Sequence, residues 1–252
     1  MKEKLVENKM QNVNTKEKSG MNDKEIERIR KQYQKNWFKS PDMERLYQLY
    51  PDPWRLNVDG HDRYYKLIEK IKECIPFPES ILDIGCAEGA FCKILAQNFP
   101  QAKIFGIDIS ETALKRAAER NFSYPSIKFY CKDIGKDSLE EIPLVDAVIL
   151  GEVLYYLTKT EEVVFAAKEI DNILKEGGFV FLTEGCKTKK YSNIFGEYFS
   201  LLNMSREKTR YAVMPITGRK DILWPYRLAV YRKRGNLNSE ECKKIARKLK
   251  ES

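Results

Sequence analysis

Histidine is almost absent from this sequence, and no two of its cysteines form a C-x-x-C pair. His61 is the single histidine among 252 residues, and the six cysteines are separated by 12, 6, 39, 55 and 56 positions. Structural zinc sites need closely spaced cysteines and histidines, so we expect no metal centre. A chain of this length can bury enough apolar surface to fold without disulfides, so we expect reduced thiols.

Long apolar runs are missing as well. No segment approaches the roughly 20 apolar residues that a membrane span needs. The opening MKEKLVENKM is polar and contains no apolar signal segment. We therefore expect a cytoplasmic protein without a membrane partner.

Positive charge is concentrated at the two ends of the chain, and the middle is slightly acidic. Residues 1–40 contain 11 Lys and Arg against 6 Asp and Glu, and residues 220–252 contain 10 against 4. The formal net charge of the chain is +8, so residues 41–219 carry a net charge of −3. Basic ends are more often solvated tails than nucleic-acid grooves, so we do not expect a nucleic-acid partner.

Composition and hydrophobic period divide the chain into four segments. Residues 1–22 are polar and aperiodic, which predicts a mobile tail. Residues 23–75 predict a helical lid, and residues 236–252 predict a basic C-terminal helix or tail. We expect the first lid helix, at 22–38, to pack over the rim of the main domain at 76–235, with 51–54 as its connection.

Short apolar runs alternate with helical patterns in the main domain. Strands are predicted at 80–85, 102–108, 126–131, 145–151 and 177–185, with helices at 90–99, 111–120 and 161–175. A further helix is predicted near 192–202, followed by strands at 211–216 and 224–232. This alternation predicts an α/β fold, a doubly wound parallel sheet with right-handed crossovers.

A glycine-containing turn, DIGCAEGA, follows the first predicted strand. Such a turn lets the backbone approach a ligand and presents free N–H groups at a helix start. The dinucleotide pattern G-x-G-x-x-G would need three glycines here, and only Gly85 fits. The pattern acid-x-G-x-G-x-G fits at Asp83, Gly85 and Gly89, with Ala87 as its one departure. The turn therefore favours S-adenosylmethionine over a dinucleotide.

Acidic residues stand at the carboxyl ends of the next three strands. Asp108 ends the second strand, 19 residues after Gly89, where a carboxylate can accept hydrogen bonds from both ribose hydroxyls. Asp133 follows the third strand, where it can meet the adenine amino group, and Glu152 follows the fourth. Carboxyl ends of parallel strands share one rim of the sheet, where open α/β folds bind ligands.

The runs LDIGCAEG, FGIDIS, CKDI and VDAVILGEVLYYL resemble the class I S-adenosylmethionine-dependent methyltransferases, from about residue 62 to residue 233. Together with DPWRLNVDGHDRYYKLIEKI, the last run resembles the nodulation protein S branch, whose members methylate an amine on a chito-oligosaccharide or other small acceptors. The resemblance implies a seven-stranded, mostly parallel, Rossmann-like sheet, in which the two late strands complete the sheet as a hairpin and the last strand is antiparallel.

The resemblance also implies roles for the rim residues: Asp83 and Gly85 at the methionine moiety and turn, Asp108 at the ribose, Asp133 at the adenine and Glu152 at the cofactor rim. The full set predicted to bind S-adenosyl-L-methionine is Trp54, Arg55, Asp83, Gly85, Cys86, Ala87, Gly89, Asp108, Ile109, Asp133, Ile134 and Glu152.

The predicted catalytic residues are His61, Glu152 and Tyr155. His61 could act as a general base, although a lone histidine in a turn is more often exposed and idle. Trp54 and Arg55 could line the cofactor entrance, although a tryptophan after proline more often simply packs. Aromatic residues after a strand, such as Tyr155, belong as often to the core as to a pocket.

These features predict methyl transfer to a small-molecule acceptor. A neutral amine needs no strong base for attack whereas a hydroxyl does, so the scarcity of histidine favours an amine nitrogen. The pocket around Glu152 and Tyr155 is expected to offer no positive charge to a phosphate, and the acidic middle would repel a polyanion. Two alternatives stay open: an RNA or protein methyltransferase that uses the basic ends, and a non-catalytic nucleotide-binding module on the same fold. The oligomeric state also stays open.

Overall fold

The computed structural model describes residues 42–54, 56–57, 61–185, 191–213 and 220–234. The predicted tail at 1–22, the predicted helix at 22–38, the C-terminal segment at 236–252 and Arg55 lie outside these residues. Within the described ranges, no helix is both long enough and apolar enough to cross a membrane.

Helices and strands alternate through the described chain. The helices are α1 (Met43–Leu49), α2 (His61–Cys74), α3 (Ala90–Asn98), α4 (Glu111–Arg120), α5 (Thr160–Ile173) and α6 (Tyr191–Tyr198), with a 3-10 turn at Leu154–Tyr156. The strands are β1 (Ser80–Ile84), β2 (Lys103–Asp108), β3 (Ile127–Cys131), β4 (Val145–Gly151), β5 (Leu174–Gly185), β6 (Phe199–Val213) and β7 (Lys220–Lys233).

The seven strands of the described residues form one sheet in the order β3-β2-β1-β4-β5-β7-β6. The first five in that order are parallel to one another, and β7 lies antiparallel to both β5 and β6. The prediction of a doubly wound, mostly parallel, seven-stranded α/β sheet with a late hairpin is therefore confirmed. Chain order reverses between β1 and β4, which opens a crevice at the carboxyl ends of these strands.

Both faces of the central strand β4 are covered. Val148 and Leu150 pack into a core cluster that includes residues of α5, whereas Ala147 and Ile149 pack into a second cluster with residues of α2 and α3. A strand buried on both faces has no polar side to alternate with, which explains the nearly continuous apolar run VDAVILG.

The late hairpin differs from its predicted bounds. The helix predicted near 192–202 ends at Tyr198, and β6 begins at Phe199, well before the predicted 211. Among the described strands, β6 pairs only with β7, and its Arg206, Lys208 and Arg210 are exposed. Charged side chains on an edge strand discourage edge-to-edge aggregation. They also interrupt the alternation of apolar and polar residues from which a strand is predicted, which is why this strand was predicted too short.

Helix α1 is an element that the sequence analysis did not predict. Asp42 caps it by accepting a hydrogen bond from the Arg45 backbone N–H at 2.9 Å, and Leu46, Tyr47 and Leu49 are buried. The helix lies between Pro41 and Pro51, inside the region 23–75 that was predicted as a helical lid but in which no helix was assigned to these residues. Its apolar face packs on the main domain, so tertiary contacts stabilise what local sequence signals only weakly.

Candidate functional site

A cavity of about 370 Å³ lies at the carboxyl ends of the central strands. Its walls come from the loops after β1 to β4, from α1 and α2, and from β7. We call α1 with residues 50–54 the roof of this cavity, and the turn 83–89 with Asp108 and Glu152 its floor. The predicted site residues that line the cavity are Trp54, Gly85, Ala87, Asp108, Ile109, Asp133, Ile134, Glu152 and Tyr155.

The turn after β1 has the backbone geometry of a ligand cradle. Gly85 has a φ of +73°, and a Cβ atom added to it would lie 2.2 Å from Cγ2 of Val153, so only glycine fits. The backbone N–H groups of Gly85 and Cys86 both donate to the Ile107 carbonyl oxygen, which ties the turn to β2. Ala87, the departure from the glycine pattern, still adopts a φ of +51°. Left-handed backbone costs a residue with a Cβ about 1–2 kcal/mol, so the turn imposes its shape on Ala87.

Asp108 joins the first two loops of the floor. Its Oδ2 accepts a hydrogen bond from the Ala87 backbone N–H at 2.9 Å, and its Oδ1 accepts one from the Ser110 backbone N–H at 3.0 Å. Burial raises the pKa of Asp108, and the backbone hydrogen bonds oppose that rise. Each carboxylate oxygen can accept more than one hydrogen bond, so Asp108 can also accept two from hydroxyls in the cavity.

Three predicted residues of the turn do not line the cavity themselves but support the turn residues that do: Asp83, Cys86 and Gly89. Asp83 is buried, which raises its pKa to about 7, and its Oδ2 accepts a hydrogen bond from the Cys92 thiol at 3.4 Å. Cys86 is buried too, and burial raises its pKa well above the usual value, so it stays a neutral thiol. Gly89 occupies the N-cap position of α3 with a φ of +73°.

The far end of the cavity combines two apolar side chains with one acid. Ile109 and Ile134 line the cavity there together with Asp133. The Asp133 carboxylate accepts hydrogen bonds from the Gly135 backbone N–H at 2.9 Å and from Lys136 Nζ at 2.6 Å. Apolar side chains and a carboxylate in one part of the lining suit a flat base that carries an amino group.

Glu152 stands at the opposite end, directly after β4, with a φ of +61°. Its carboxylate is 11% exposed and lies 3.7 Å from Nη1 of Arg63. Among the described residues, nothing donates a hydrogen bond to its Oε1. Burial raises the pKa of Glu152, although the Arg63 charge and a hydrogen bond from the Gly185 backbone act in the opposite direction.

The expectation that the cavity offers no positive charge was wrong. Arg63, Lys132 and Lys136 all line it. Lys132 forms an ion pair with Glu141, and Lys136 forms one with Asp133, so the predicted adenine end is locally balanced. The sequence analysis did not select Arg63, because it lies in an amphipathic helical pattern, where a charged residue is normally assigned to the solvent face. Its side chain is nevertheless only 5% exposed.

Four aromatic side chains form a wall beside Glu152. The rings of Tyr155 and Tyr156 have centroids 4.4 Å apart, and those of Trp54 and Tyr156 are 6.4 Å apart. Trp224 of β7 also lines the cavity, and a Cβ added to Gly185 would contact both Trp224 and the Glu152 carboxylate. Trp54 and Tyr155, which the sequence analysis proposed as site residues, line the cavity together with Trp224, which comes from the distant strand β7 and was not predicted.

His61 is the predicted catalytic residue that the structure does not bring to the cavity. It begins α2, its Nε2 donates to the Leu56 carbonyl oxygen at 3.1 Å, and its ring stacks on Tyr64. In the part of the chain that the structure describes, no group of three or more His, Cys, Asp or Glu side chains is placed to hold a metal ion.

The roof adds residues that the sequence analysis missed. Glu44 and Tyr47 of α1 line the cavity. Glu88, in the turn below them, is only 3% exposed and forms ion pairs with Arg116 at 3.1 Å and Arg120 at 2.8 Å. Arg116 and Arg120 lie about one helical turn apart on α4, so their side chains share one face of the helix. This spacing is a sequence feature from which an acidic partner such as Glu88 could have been predicted.

Known proteins resemble this chain in both sequence and fold. The Methyltransferase domain family matches residues 78–224. Malonyl-[acyl-carrier protein] O-methyltransferase of Halalkalibacterium halodurans is 30% identical over 126 residues, which is 49% of this chain and 45% of that protein. Nodulation protein S of Rhizobium tropici is 30% identical over 128 residues, which is 50% of this chain and 52% of that protein. The chain thus spans about half the length of these relatives.

A solved structure shows the same fold. It is the N-methyltransferase NodS from Bradyrhizobium japonicum WM9 in complex with S-adenosyl-L-homocysteine, with a TM-score of 0.61 and 22% identity over 78% of this chain and 98% of that one. The family match covers more than half of the present chain. The sheet order and the position of the cavity in this chain agree with that match. The chain therefore belongs to the Methyltransferase domain family, with the class I S-adenosylmethionine-dependent methyltransferase fold.

Proposed function

We propose that the protein transfers a methyl group from S-adenosylmethionine to an amine nitrogen of a small-molecule acceptor. The observation that carries the amine assignment is the nearly buried Glu152 carboxylate, whose Oε1 accepts no hydrogen bond from the described residues and which lies beside a wall of aromatic rings. The acceptor attacks as the neutral amine, whose lone pair forms the N–C bond as the S–C bond of the sulfonium breaks. The Glu152 carboxylate and the ring faces then stabilise the alkylammonium cation that forms on methylation.

The floor of the cavity fits the cofactor on its own geometry. Gly85 gives the turn a backbone conformation that a residue with a Cβ would not fit, Asp108 keeps acceptor capacity towards hydroxyl groups, and Ile109, Ile134 and Asp133 line the part of the cavity proposed for a base. When bound, S-adenosylmethionine supplies a methyl group that its sulfonium already makes electrophilic. The task of the protein is then to hold the acceptor nitrogen in line with that methyl group and to exclude water.

The residues near Glu152 take the acceptor in this proposal. Glu152 receives the amine, and Trp54, Tyr155, Tyr156 and Trp224 surround it with apolar and ring surface. Arg63 balances the Glu152 charge, and the 3.7 Å separation leaves Oε1 able to accept a hydrogen bond from an N–H group. His61 lies outside the cavity lining, so amine attack proceeds here without a histidine base.

The relatives support methyl transfer, but their names differ in the atom that receives the methyl group. The solved NodS is an N-methyltransferase, and so is a phosphoethanolamine methyltransferase of Zea mays, which is 29% identical over 43% of this chain and 21% of that protein. The malonyl-carrier enzyme is an O-methyltransferase. The test is therefore to offer methyl-labelled cofactor with a panel of small amines, phosphorylated amines, carboxylates and total RNA. We expect label in amines, and the Asp108→Ala variant gives the background.

Two outcomes would contradict this proposal. Label in carboxylates but not in amines would assign the cavity to oxygen methylation. Label in RNA, with binding that falls steeply as salt rises, would show that the basic ends select a polyanion.

A further inference from the structure

The helix that roofs the cavity is too short to hold its own position. Helix α1 has seven residues, whereas isolated helices shorter than about 12–15 residues are marginal in water. Met43, Glu44 and Tyr47 of this helix nevertheless line the cavity. Its position therefore depends on the contacts that it makes with the rest of the chain.

Glu44 makes the most concentrated of these contacts, at the N-terminus of α4. Its carboxylate accepts hydrogen bonds from the Ser110 hydroxyl at 2.7 Å, from the Thr112 backbone N–H at 3.2 Å and from the Thr112 hydroxyl. The first backbone N–H groups of a helix have no partner within the helix, and a negative charge there is favourable. Partial burial raises the pKa of Glu44, but these hydrogen bonds outweigh it and lower the pKa overall.

The other end of α1 is attached to the same helix. Nη1 of Arg116, just over one turn after Thr112 on α4, donates to the Tyr47 carbonyl oxygen at 2.8 Å. The same Arg116 atom contacts Glu88, which accepts a further hydrogen bond from the Asp52 backbone N–H at 2.9 Å. Helix α4 thus holds the roof at both ends of α1, through Glu44 at one end and through Arg116 at the other.

Ser110 links the Glu44 contact to the floor. Its hydroxyl donates to Glu44 and accepts from the Ala113 backbone N–H, while its own backbone N–H donates to Oδ1 of Asp108. Tyr47 of the roof packs against Ala87, whose backbone N–H donates to Oδ2 of Asp108, and burial, and next the charge of Asp108, raise the pKa of Tyr47. The roof is therefore fastened directly above the residue proposed to bind the ribose.

We propose that Glu44 is a positioning residue that latches α1 over the bound cofactor, so that cofactor entry and product release both require its carboxylate to leave the N-terminus of α4. The inference rests on the proposed placement of the ribose at Asp108, and it concerns cofactor exchange rather than the acceptor. A latch of this kind has a kinetic signature, because opening the roof is a shared step of association and dissociation. Weakening the latch raises both rate constants, and the dissociation constant changes less than either.

The experiment measures the exchange of S-adenosylhomocysteine on the full chain by stopped-flow tryptophan fluorescence, with displacement of radiolabelled cofactor as an independent readout. Glu44→Gln keeps the shape of the side chain but replaces charge-assisted hydrogen bonds by neutral ones. We expect both rate constants to rise about tenfold. Thr112→Val removes one donor from the α4 side and leaves α1 untouched, so it should act in the same direction with a smaller effect.

Glu111→Gln is the matched control, because it removes an exposed carboxylate from the same first turn of α4 that does not line the cavity. It should leave both rate constants unchanged. The inference is overturned if Glu44→Gln changes neither rate constant, or if it speeds release alone, which would make Glu44 an ordinary ligand contact. Failure of the wild-type chain to bind S-adenosylhomocysteine would instead contradict the proposed function.

Discussion

The floor and the roof of the cavity are built by different physical means. Backbone geometry holds the floor: a glycine turn between β1 and α3, and an acid that accepts two main-chain hydrogen bonds. Side chains hold the roof, through Glu44 and Arg116 and the packing of Tyr47 against Ala87 and Ala113. The comparison teaches that one binding cavity can combine a half set by the backbone of the central sheet with a half that, among the described residues, side-chain contacts hold in place.

The largest effect is expected from disturbing the floor at Gly85. In Gly85→Ala the new Cβ meets Val153 and the backbone must keep a φ of +73°, so we expect a loss of stability of about 2–5 kcal/mol. Because the turn has to shift, cofactor affinity should also fall more than about a hundredfold. Thermal unfolding and calorimetric titration measure the two effects. Gly196→Ala on α6 is the control, because an added Cβ there meets nothing within 4 Å. It should change neither the stability nor the cofactor affinity.

Removing the floor acid should come next in size. In Asp108→Ala we expect at least about a tenfold loss of cofactor affinity, since charged hydrogen bonds to the ribose are lost while the fold persists. Calorimetric titration with S-adenosylhomocysteine measures this. Asp171→Ala, on α5 and outside the cavity lining, controls for the loss of one acidic charge. An unchanged affinity of the Asp108 variant would remove this residue from the site.

Glu152→Gln tests the acceptor end, with an expected fall in turnover of about tenfold and an intact fold. Burial raises the Glu152 pKa above its usual 4.5, so the wild-type rate should increase with pH through that raised value, and the variant should lack this step. The free energy of unfolding should change in the opposite direction. The folded chain binds the Glu152 proton more tightly than the unfolded chain does, so the protein becomes less stable as pH rises from 4.5 through the folded pKa of Glu152. A pH profile identical to that of the wild type would show that Glu152 does not control the reaction.

The smallest effect on global stability is expected in the roof. Leu46 is fully buried, and a buried Leu→Ala change in a cooperative core costs about 2–5 kcal/mol. If the roof opens separately from the sheet, Leu46→Ala should cost less than about 1 kcal/mol in global unfolding while amide exchange at 43–49 accelerates. Leu139→Ala, in the core cluster around β4, should show the full cost. Equal costs in both variants would mean that roof and floor unfold as one unit.

Sequence patterns predicted several floor residues that line the cavity, although Asp83, Cys86 and Gly89 of the turn after β1 do not line it. The acids and glycines at strand ends follow from local rules, since the chain must turn there and a parallel sheet brings all those ends to one rim. Asp108, Asp133 and Glu152 accordingly line the cavity that the pattern predicted. His61 shows the limit of such reasoning, because its residue type suggested chemistry while its position at the start of α2 turns it towards Leu56.

The sequence by itself determined the order of elements, the parallel sheet and the family, because hydrophobic period and turn chemistry are local properties of the chain. Only the tertiary structure decided that α1 closes the cavity, that Arg63 faces Glu152 and that Trp224 joins the aromatic wall. These contacts join residues from 43 to 224 that no local pattern relates. Each depends on how the faces of separate elements pack, and packing is a property of the whole fold.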